Sequence, residues 1–406
     1  MSSIVFLIGN FKNGGVARRS TTLANEMAKK GHRIIILVTG ECGTLLPALE
    51  EGVQVVRLKE FITKNSNEPR IAKDVKRRLH HIVWLKRLRN LLFFLPWFRR
   101  SLSNRIDFWK HGERLRSFFL LNPHSVIIAF SMPFVYEAHC ASYGLGCPII
   151  FAEKNASQLE NPALLSEREL ATISLKYADA CVFQTYDEMA QYSGIPLKCP
   201  VVIRNPIRPD LPAPYQGGVR KKVIVNFCRL NPQKNLHLLI DAFEMLHGEY
   251  PEYHLEIYGN VVSPDEEKLK NELVDLVENK NLERFVHILP PCADVHLKVL
   301  DAAMFVSSSD FEGLSNSMLE AMTIGLPCVC TDCLGGGARE MIQNGENGLL
   351  VPINDVTRLF EAMKNFIQNP ELAAKCGQNA ARIRTLLAAD SIAAEWLNVV
   401  DRVVEK

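Results

Sequence analysis

The sequence predicts an α/β protein with two Rossmann-like domains, each built on a parallel sheet. The chain opens with a strand, a glycine-rich turn, a helix and a second strand, an order typical of nucleotide-binding folds. The same alternation of short apolar runs and helices starts again near Lys222. A length of 406 residues, 47% of them hydrophobic, is sufficient for two domains that each bury a core.

The first glycine-rich turn is a candidate ligand contact. An apolar strand over Ile4–Ile8 precedes the turn Gly9–Gly15 and an amphipathic helix over Val16–Lys30. The turn is neither the dinucleotide motif G-x-G-x-x-G nor a P-loop, which needs Lys followed by Ser or Thr. Gly14 and Gly15 would let a phosphate or sugar approach the backbone. The alternative is a tight turn without a ligand.

Further apolar runs predict the other strands, and the segments between them predict helices. In the first half, strands are predicted over Arg33–Val38, Gln54–Leu58, Ser125–Phe130, Pro148–Phe151, Ala180–Gln184 and Val201–Ile203. In the second half they are predicted over Lys222–Phe227, His254–Tyr258, Phe285–Leu289, Ala303–Ser307, Pro327–Thr331 and Gly348–Val351. Helices are predicted to end near His247 and to span Pro264–Asn279, Ser315–Ile324, Val356–Phe366, Glu371–Leu387 and Ile392–Val404. The spacing of Ser317 and Glu320 predicts a capping box.

The segment 64–116 differs from the rest of the chain in charge. It carries 15 Lys and Arg against four acidic residues, a net charge of +11, so the remainder is net −9. Three of the four Trp lie in it. Basic residues interleaved with aromatic ones favour an anionic membrane surface. The alternatives are a helical hairpin packed on its own domain, or a nucleic-acid site, for which no reader motif is present.

Composition and termini bear on the compartment. The start MSSIVFLIGN lacks the features of a signal peptide, and no apolar run is long enough for a transmembrane helix. The 11 cysteines show no disulfide-scaffold spacing, which favours a reducing, cytoplasmic compartment. Cys328, Cys330 and Cys333 have the spacing C-x-C-x2-C. Because the first two lie on a predicted buried strand, core thiols are favoured over a metal site.

The second half contains the residues with the most specific chemistry. Arg229 and Lys234 lie between a strand end and a helix start, where two cations and the helix amides can hold a diphosphate. Glu312 and Glu320 have the spacing E-x7-E around the start of the helix predicted over Ser315–Ile324. Carboxylates there can accept hydrogen bonds from hydroxyl groups. A nucleotide sugar has both a diphosphate and hydroxyl groups. From the residues alone, the alternative for each pair is that its side chains are simply solvated.

The wording of this stretch resembles a known family. FEGLSNSMLEAM followed by x-x-G-x-P is similar to the E-x7-E signature of retaining glycosyltransferases of family 4, which have the GT-B fold. GGGARE, NGENGLLVP and the R-L-x3-K-N pattern at Arg229 continue the resemblance from Asn205 to about Ala380. The chain departs from the family at Cys228, where Gly is usual, and at Gly259-Asn260, where G-x-G is usual.

The resemblance implies roles for these residues. Glu312, Arg229 and Lys234 are expected to be catalytic, with the two cations on the leaving diphosphate and Glu312 on the donor sugar. The nucleotide sugar is expected to contact Gly14, Gly15, Gly313, Leu314, Ser315, Asn316 and Glu320, with Glu320 on the ribose. Neither a cofactor nor a metal is expected, since cations replace the metal. Glu153, just past a strand, is a candidate sugar or acceptor contact, and a solvated carboxylate is the alternative.

The resemblance also implies an architecture and an activity. Two parallel sheets would face each other across a cleft, with residues 1–205 binding the acceptor and 206–390 binding the donor. The helix 391–405 would pack back on the first domain. The expected activity is transfer of a hexose or N-acetylhexosamine from a nucleotide sugar, with UDP favoured, to a lipid-linked or growing glycan of a surface polysaccharide. The expected location is the inner face of the plasma membrane. Alternatives are a non-catalytic carbohydrate-binding or scaffold protein and a glycoside hydrolase.

Overall fold

The computed structural model describes residues 2–11, 15–43, 48–64, 112–122, 126–153 and 175–405. Gly14 and residues 65–111 of the basic segment 64–116 lie outside the described residues, so the predictions for them stay predictions. Among the described residues, no helix combines the length and the apolar character needed to cross a membrane.

The first half of the described chain forms a seven-stranded parallel sheet. Its strands are β1 Ser3–Ile8, β2 Arg33–Val38, β3 Val53–Arg57, β4 Val126–Phe130, β5 Ile149–Ala152, β6 Ala180–Phe183 and β7 Pro200–Val202. The order across the sheet is β3-β2-β1-β4-β5-β6-β7, with all pairings parallel. Burial is complete along β4, β5 and β6, and along β1 and β2 after their first residues, as expected for a sheet covered by helices on both faces.

Helices cover this sheet. They are α1 Gly15–Lys29, α2 Leu58–Lys64, α3 over residues 112–121, α4 Met132–Ser142 and α5 Tyr186–Ala190. Apolar residues of α1 such as Leu23 and Met27 pack on the sheet with the side chains of β1 and β2. Residues of α3 and α4, including Phe118 and Val135, cover the opposite face. The strand order changes direction between β1 and β4, which opens a crevice at their carboxyl ends.

The second half forms a six-stranded parallel sheet. Its strands are β8 Lys221–Arg229, β9 His254–Asn260, β10 Val286–Leu289, β11 Ala302–Ser307, β12 Cys328–Thr331 and β13 Leu349–Val351, in the order β10-β9-β8-β11-β12-β13. Its helices are α6 Leu236–Glu249, α7 Pro264–Asn279, α8 Val295–Lys298, α9 Asn316–Thr323, α10 Gly337–Met341, α11 Val356–Gln368, α12 Pro370–Ala380, α13 Ile383–Leu386 and α14 Ala389–Val404. Here the order reverses between β8 and β11, so the loops after these two strands flank the crevice.

The last helix, α14, packs on the first half of the chain. Its Trp396 is buried, and its ring centroid lies 6.3 Å from that of Phe130 on β4. Ala388, just before α14, forms an isolated β-bridge with Ile207 in the segment between the two sheets. The two halves therefore share apolar contacts through α14.

The predicted strands are confirmed, with ends shifted by at most two residues. The helix predicted over Glu371–Leu387 is wrong as a single element. It is two helices, α12 and α13, and both Ile383 and Leu387 after the break are buried. The capping box at Ser317 is also wrong, because α9 begins one residue after Ser315 and Ser317 lies inside the helix.

Candidate functional site

Lys234 and Glu312 form an ion pair at the crevice. Lys234 ends a 3-10 turn just after β8, and Glu312 lies in the loop after β11. The Lys234 Nζ donates to Glu312 Oε2, and the two side chains are 14% and 20% exposed. Burial lowers the pKa of Lys234, but the charge and the hydrogen bond of Glu312, with smaller contributions from Cys228 and Cys333, together outweigh it, so the pKa is raised and the ammonium stays charged. Topology thus joins two predicted site residues that are 78 positions apart.

Hydrogen bonds fix the loop that carries Glu312. Asn235, with a left-handed φ of 43°, caps α6 and donates from Nδ2 to Asp310 Oδ1 at 2.7 Å. The Ser308 hydroxyl donates to the Lys234 carbonyl at 2.8 Å. Asn tolerates a left-handed backbone better than most residues, which explains why it stands at this corner. The loop after β11 is thereby attached to the turn after β8.

Glu320, the second carboxylate of the motif, is bound by a histidine. His296 on α8 places Nε2 2.8 Å from Glu320 Oε2. His296 is buried, whereas the Glu320 side chain is 15% exposed. The sequence reasoning missed His296, because a single His in a four-residue helix has no motif of its own.

The predicted helix-start residues lie together between the two glutamates. Gly313, Leu314 and Ser315 lead into α9, which begins at Asn316. Asn205, at the end of the first half, donates from Nδ2 to Leu314 O and to Asn316 Oδ1, each at 3.1 Å. The first half of the chain therefore holds the loop from which α9 begins.

The loop that contains Gly335 and Gly337 packs tightly against the backbone of Glu312 and Gly313. A Cβ on Gly337 would lie 1.9 Å from the Gly313 oxygen, and one on Gly335 would lie 2.1 Å from the Glu312 oxygen. Gly335 also has a φ of +99°, which disfavours any other residue. The glycines in GGGARE are therefore needed for the close contact of this loop with the loop after β11.

Arg229 is not part of the Lys234–Glu312 pair in this structure. Its Nε donates to Glu266 at the start of α7, and the Arg229 side chain is 53% exposed. Glu266 is 4% exposed, and its other oxygen accepts from the Val262 amide at 2.6 Å. The two predicted phosphate cations thus belong to two separate ion pairs, and Glu266 is a further residue that the sequence did not indicate.

The first-half predictions have mixed outcomes. Gly15 is the first residue of α1, not part of the preceding turn, and its partner Gly14 is outside the described residues. Glu153 is 3% exposed and accepts a hydrogen bond from the Tyr192 hydroxyl at 2.5 Å. The interpretation of Glu153 as a solvated carboxylate is therefore wrong.

A charged cluster beside Glu153 was not predicted. Arg19 of α1 donates from Nη1 to Asn205 Oδ1 at 2.7 Å, and burial lowers its pKa to about 10. Glu188 of α5 is 1% exposed, and burial, followed by the nearby Glu153, raises its pKa to about 7. No local pattern could have revealed this cluster, because its members come from four separate elements.

The three cysteines of C-x-C-x2-C are core residues. Cys328 and Cys330 are buried on β12, and Cys333 is buried just after it. Burial raises the pKa of Cys333 to about 12, so the thiol is protonated at neutral pH. Their arrangement agrees with the prediction that they pack as small apolar groups.

The chain has the GT-B fold, with two Rossmann-like domains that are each built on a parallel sheet. A crystal structure of Alr3699/HepE from Anabaena in complex with UDP matches with a TM-score of 0.74, over 98% of this chain and 100% of that one. The identity is 17%, so this likeness shows the fold.

The second half of the chain is also similar to a family in sequence. Residues 209–383 match the family described as "Glycosyl transferases group 1". The chain is 32% identical over 167 residues, 41% of its length, to N-acetylgalactosamine-N,N'-diacetylbacillosaminyl-diphospho-undecaprenol 4-alpha-N-acetylgalactosaminyltransferase of Campylobacter jejuni. It is 32% identical over 192 residues, 47% of its length, to exopolysaccharide phosphotransferase SCO2592 of Streptomyces coelicolor. The matched stretches are 43% and 20% of these two relatives, so the chain spans less than half the length of either.

Proposed function

We propose that the chain is a retaining glycosyltransferase that moves a hexose or N-acetylhexosamine from a UDP-sugar to a lipid-linked or growing glycan of a surface polysaccharide. One observation carries the proposal. The Lys234–Glu312 and His296–Glu320 pairs flank the start of α9 at the carboxyl-terminal edge of the second sheet, whose strand order reverses between β8 and β11. That edge is where open parallel sheets bind ligands.

Two comparisons support the substrate classes. The Campylobacter jejuni relative is named for transfer of N-acetylgalactosamine to a diphospho-undecaprenol-linked sugar. The structural neighbour from Anabaena was crystallised with UDP. Carrying these properties over gives a UDP-sugar donor and a lipid-linked acceptor.

The proposed mechanism gives a separate role to each of the site residues. Lys234 neutralises the diphosphate as it leaves, and the amides at the start of α9 add partial positive charge. Glu312 accepts hydrogen bonds from donor-sugar hydroxyls, and Glu320 accepts one from the ribose. Arg229 would turn from Glu266 toward the diphosphate. No protein nucleophile and no metal or cofactor is required, and a donor phosphate oxygen assists removal of the acceptor proton.

The hydrolase alternative fits the same residues poorly. Hydrolysis of a glycoside needs two carboxyl groups that flank one bond, one of them protonated. Glu312 is instead paired with the side-chain nitrogen of Lys234. A hydrolase would also leave Lys234 without a task.

We further propose that the basic segment 64–116 binds the enzyme to an anionic membrane, on the cytoplasmic face. With a net charge of +11, it should bind vesicles of phosphatidylglycerol and release them as salt is raised. Cosedimentation with phosphatidylglycerol and with phosphatidylcholine vesicles tests this proposal. Equal binding to both would contradict it.

A thermal-shift panel tests the donor proposal. UDP, GDP, ADP and their common sugars are added to the protein without metal, because a ligand that binds only the native state raises the unfolding temperature. We expect a shift with UDP and UDP-sugars, reduced in K234A and E320A. No shift with any nucleotide would favour a carbohydrate-binding scaffold protein, and equal shifts in both variants would overturn the site assignment.

A further inference from the structure

The orientation of Glu320 is set by one imidazole. His296 Nε2 lies 2.8 Å from Glu320 Oε2, and no described residue hydrogen-bonds to Oε1. The charge of Arg208 also interacts with Glu320, but the Arg208 guanidinium is hydrogen-bonded to Asp210. Its Nε and Nη2 donate to the two oxygens of Asp210, at 2.7 and 2.5 Å. His296 is therefore the described side chain that binds the Glu320 carboxylate.

The imidazole itself is fixed by apolar packing. Its ring lies edge-on to Phe227 of β8, with 5.4 Å between centroids, and Phe227 lies 4.9 Å from Phe305 of β11. Val295 and Val299, on either side of His296 in the chain, are buried. A buried ring packed against Phe227 of β8 has little freedom to rotate. Burial also makes an unpaired ring nitrogen costly, so the bond to Glu320 is favoured.

The geometry points to His296 as the positioning residue for ribose recognition. This inference rests on the proposed function, in which Glu320 accepts a hydrogen bond from the nucleotide ribose. A free carboxylate can rotate and offer both oxygens to either hydroxyl or to water. With Oε2 bound to His296, the carboxylate plane is fixed and Oε1 is the oxygen presented to the ligand. His296 is 5% exposed and acts through Glu320.

Two amide variants distinguish a positioning role of His296 from a packing role. In His296→Gln, the side-chain amide nitrogen can occupy the place of Nε2, so a donor to Glu320 is kept. In His296→Asn, the amide nitrogen falls near the place of Nδ1 and does not reach Glu320. Both variants are polar, uncharged and smaller than His, and they differ from each other by the one methylene group that sets the reach of the donor. His287→Leu, on β10, is a control for loss of an imidazole elsewhere in the same sheet.

Calorimetry measures the affinity of each protein for UDP, 2′-deoxy-UDP and 3′-deoxy-UDP. The proteins are the parent, the two His296 variants and His287→Leu. One hydrogen bond to a charged acceptor corresponds to about a tenfold or larger preference of the parent for UDP over one deoxy analogue. We expect His296→Gln and His287→Leu to keep this preference. We expect His296→Asn to lose it, with affinity for that deoxy analogue nearly unchanged.

The outcomes distinguish this inference from the proposed function. If His296→Asn keeps the parental preference, or loses affinity equally for UDP and both analogues, the positioning role is overturned while UDP binding stands. If the parent binds none of the three nucleotides, the proposed function fails and the inference fails with it. Thermal unfolding of each variant shows whether it is folded. If His296→Asn is not folded, loss of the preference in a folded His296→Gln overturns the positioning role, since that variant keeps the donor to Glu320.

Discussion

Two groups of charged residues lie where the halves of the molecule meet, and they differ in how their charges are satisfied. In the cleft cluster (Lys234, Glu312, His296 and Glu320), each carboxylate is paired with one base, and both carboxylates are partly exposed. In the hinge cluster (Arg19, Glu153, Glu188 and Asn205), the two carboxylates and Asn205 are buried, with at most 3% of each residue exposed. There, Arg19 Nη2 and Glu188 Oε1 have no hydrogen-bond partner among the described residues.

The difference indicates different tasks. A partly exposed ion pair can exchange its partner for a ligand group at modest cost, because water already reaches it. A buried group with an unsatisfied atom costs stability in every state that keeps it buried. The cleft cluster therefore suits binding and chemistry, whereas the hinge cluster suits holding the two halves together through Asn205.

The largest expected effect comes from filling the space beside Gly337. Gly337→Ala places a methyl group 1.9 Å from the Gly313 oxygen, so the loop carrying Glu312 must move. We expect UDP affinity to fall at least about a hundredfold and stability to fall by about 1–3 kcal/mol or more. Calorimetry and thermal unfolding measure the two. Gly248→Ala, in open space on α6, is the matched control and should bind UDP normally. Normal binding by Gly337→Ala would show that the loop adapts without disturbing the site.

A second large effect is expected from removing one charge of the cleft cluster. Lys234→Met removes the charge but keeps most of the volume, so Glu312 loses its cationic partner and the leaving diphosphate loses its neutralising charge. We expect kcat to fall by about 10²–10³, the usual cost of removing one electrostatic stabiliser of a transition state. Sugar transfer measured at saturating donor reports kcat. Lys268→Met, at a side chain that is 80% exposed, should have no effect. A change in KM alone would mean that Lys234 binds the ground state and transition state equally.

The two clusters also differ in how far the sequence predicted them. Arg229, Lys234, Glu312 and Glu320 stand in short contiguous motifs at strand ends, so both their identity and their edge of the sheet were predictable. Their partners Glu266 and His296 were not predictable, since they come from other elements and belong to no motif with a fixed spacing. A parallel sheet brings such residues together through its strand order, which a pattern of apolar runs does not specify.

The fold shows the same division. Apolar runs located the strands within two residues, because burial on both faces leaves a strong local signal. The break between α12 and α13 was missed, since neither Gly nor Pro marks Ala381 and Arg382. Of the hinge cluster only Glu153 was a candidate, and its grouping with Arg19 and Glu188 was missed, because a buried Arg or Glu looks like a surface residue in the sequence.

A pH-dependent effect would sharpen the description of the hinge cluster. The pKa of Glu188 is raised from 4.5 to about 7, so the folded protein holds a proton that the unfolded chain releases between these pH values. Stability from the protonated group is complete below about pH 4.5 and is lost as pH rises through about 7. Glu188→Gln removes this loss, so it should exceed the parent by about 1–3 kcal/mol at pH 8 and equal it near pH 4.

Urea unfolding of both proteins across this pH range measures the difference. Glu278→Gln, an exposed glutamate on α7, is the matched control and should follow the parent at every pH. A constant difference between Glu188→Gln and the parent would mean that packing or hydrogen bonding, and not the protonation of Glu188, decides the stability of the hinge cluster.

The smallest expected effect tests whether Arg229 belongs with the cleft cluster. Its guanidinium is half exposed and already bound to the buried Glu266, so a diphosphate must compete for it. We expect Arg229→Gln to weaken UDP binding by no more than about tenfold, less than Lys234→Met does. Glu266→Gln, which weakens the competing partner, should leave UDP affinity equal or improve it. If Arg229→Gln instead costs more than Lys234→Met, Arg229 leaves Glu266 on binding and carries the larger share of the diphosphate charge. The exchange of its partner would then be part of donor binding.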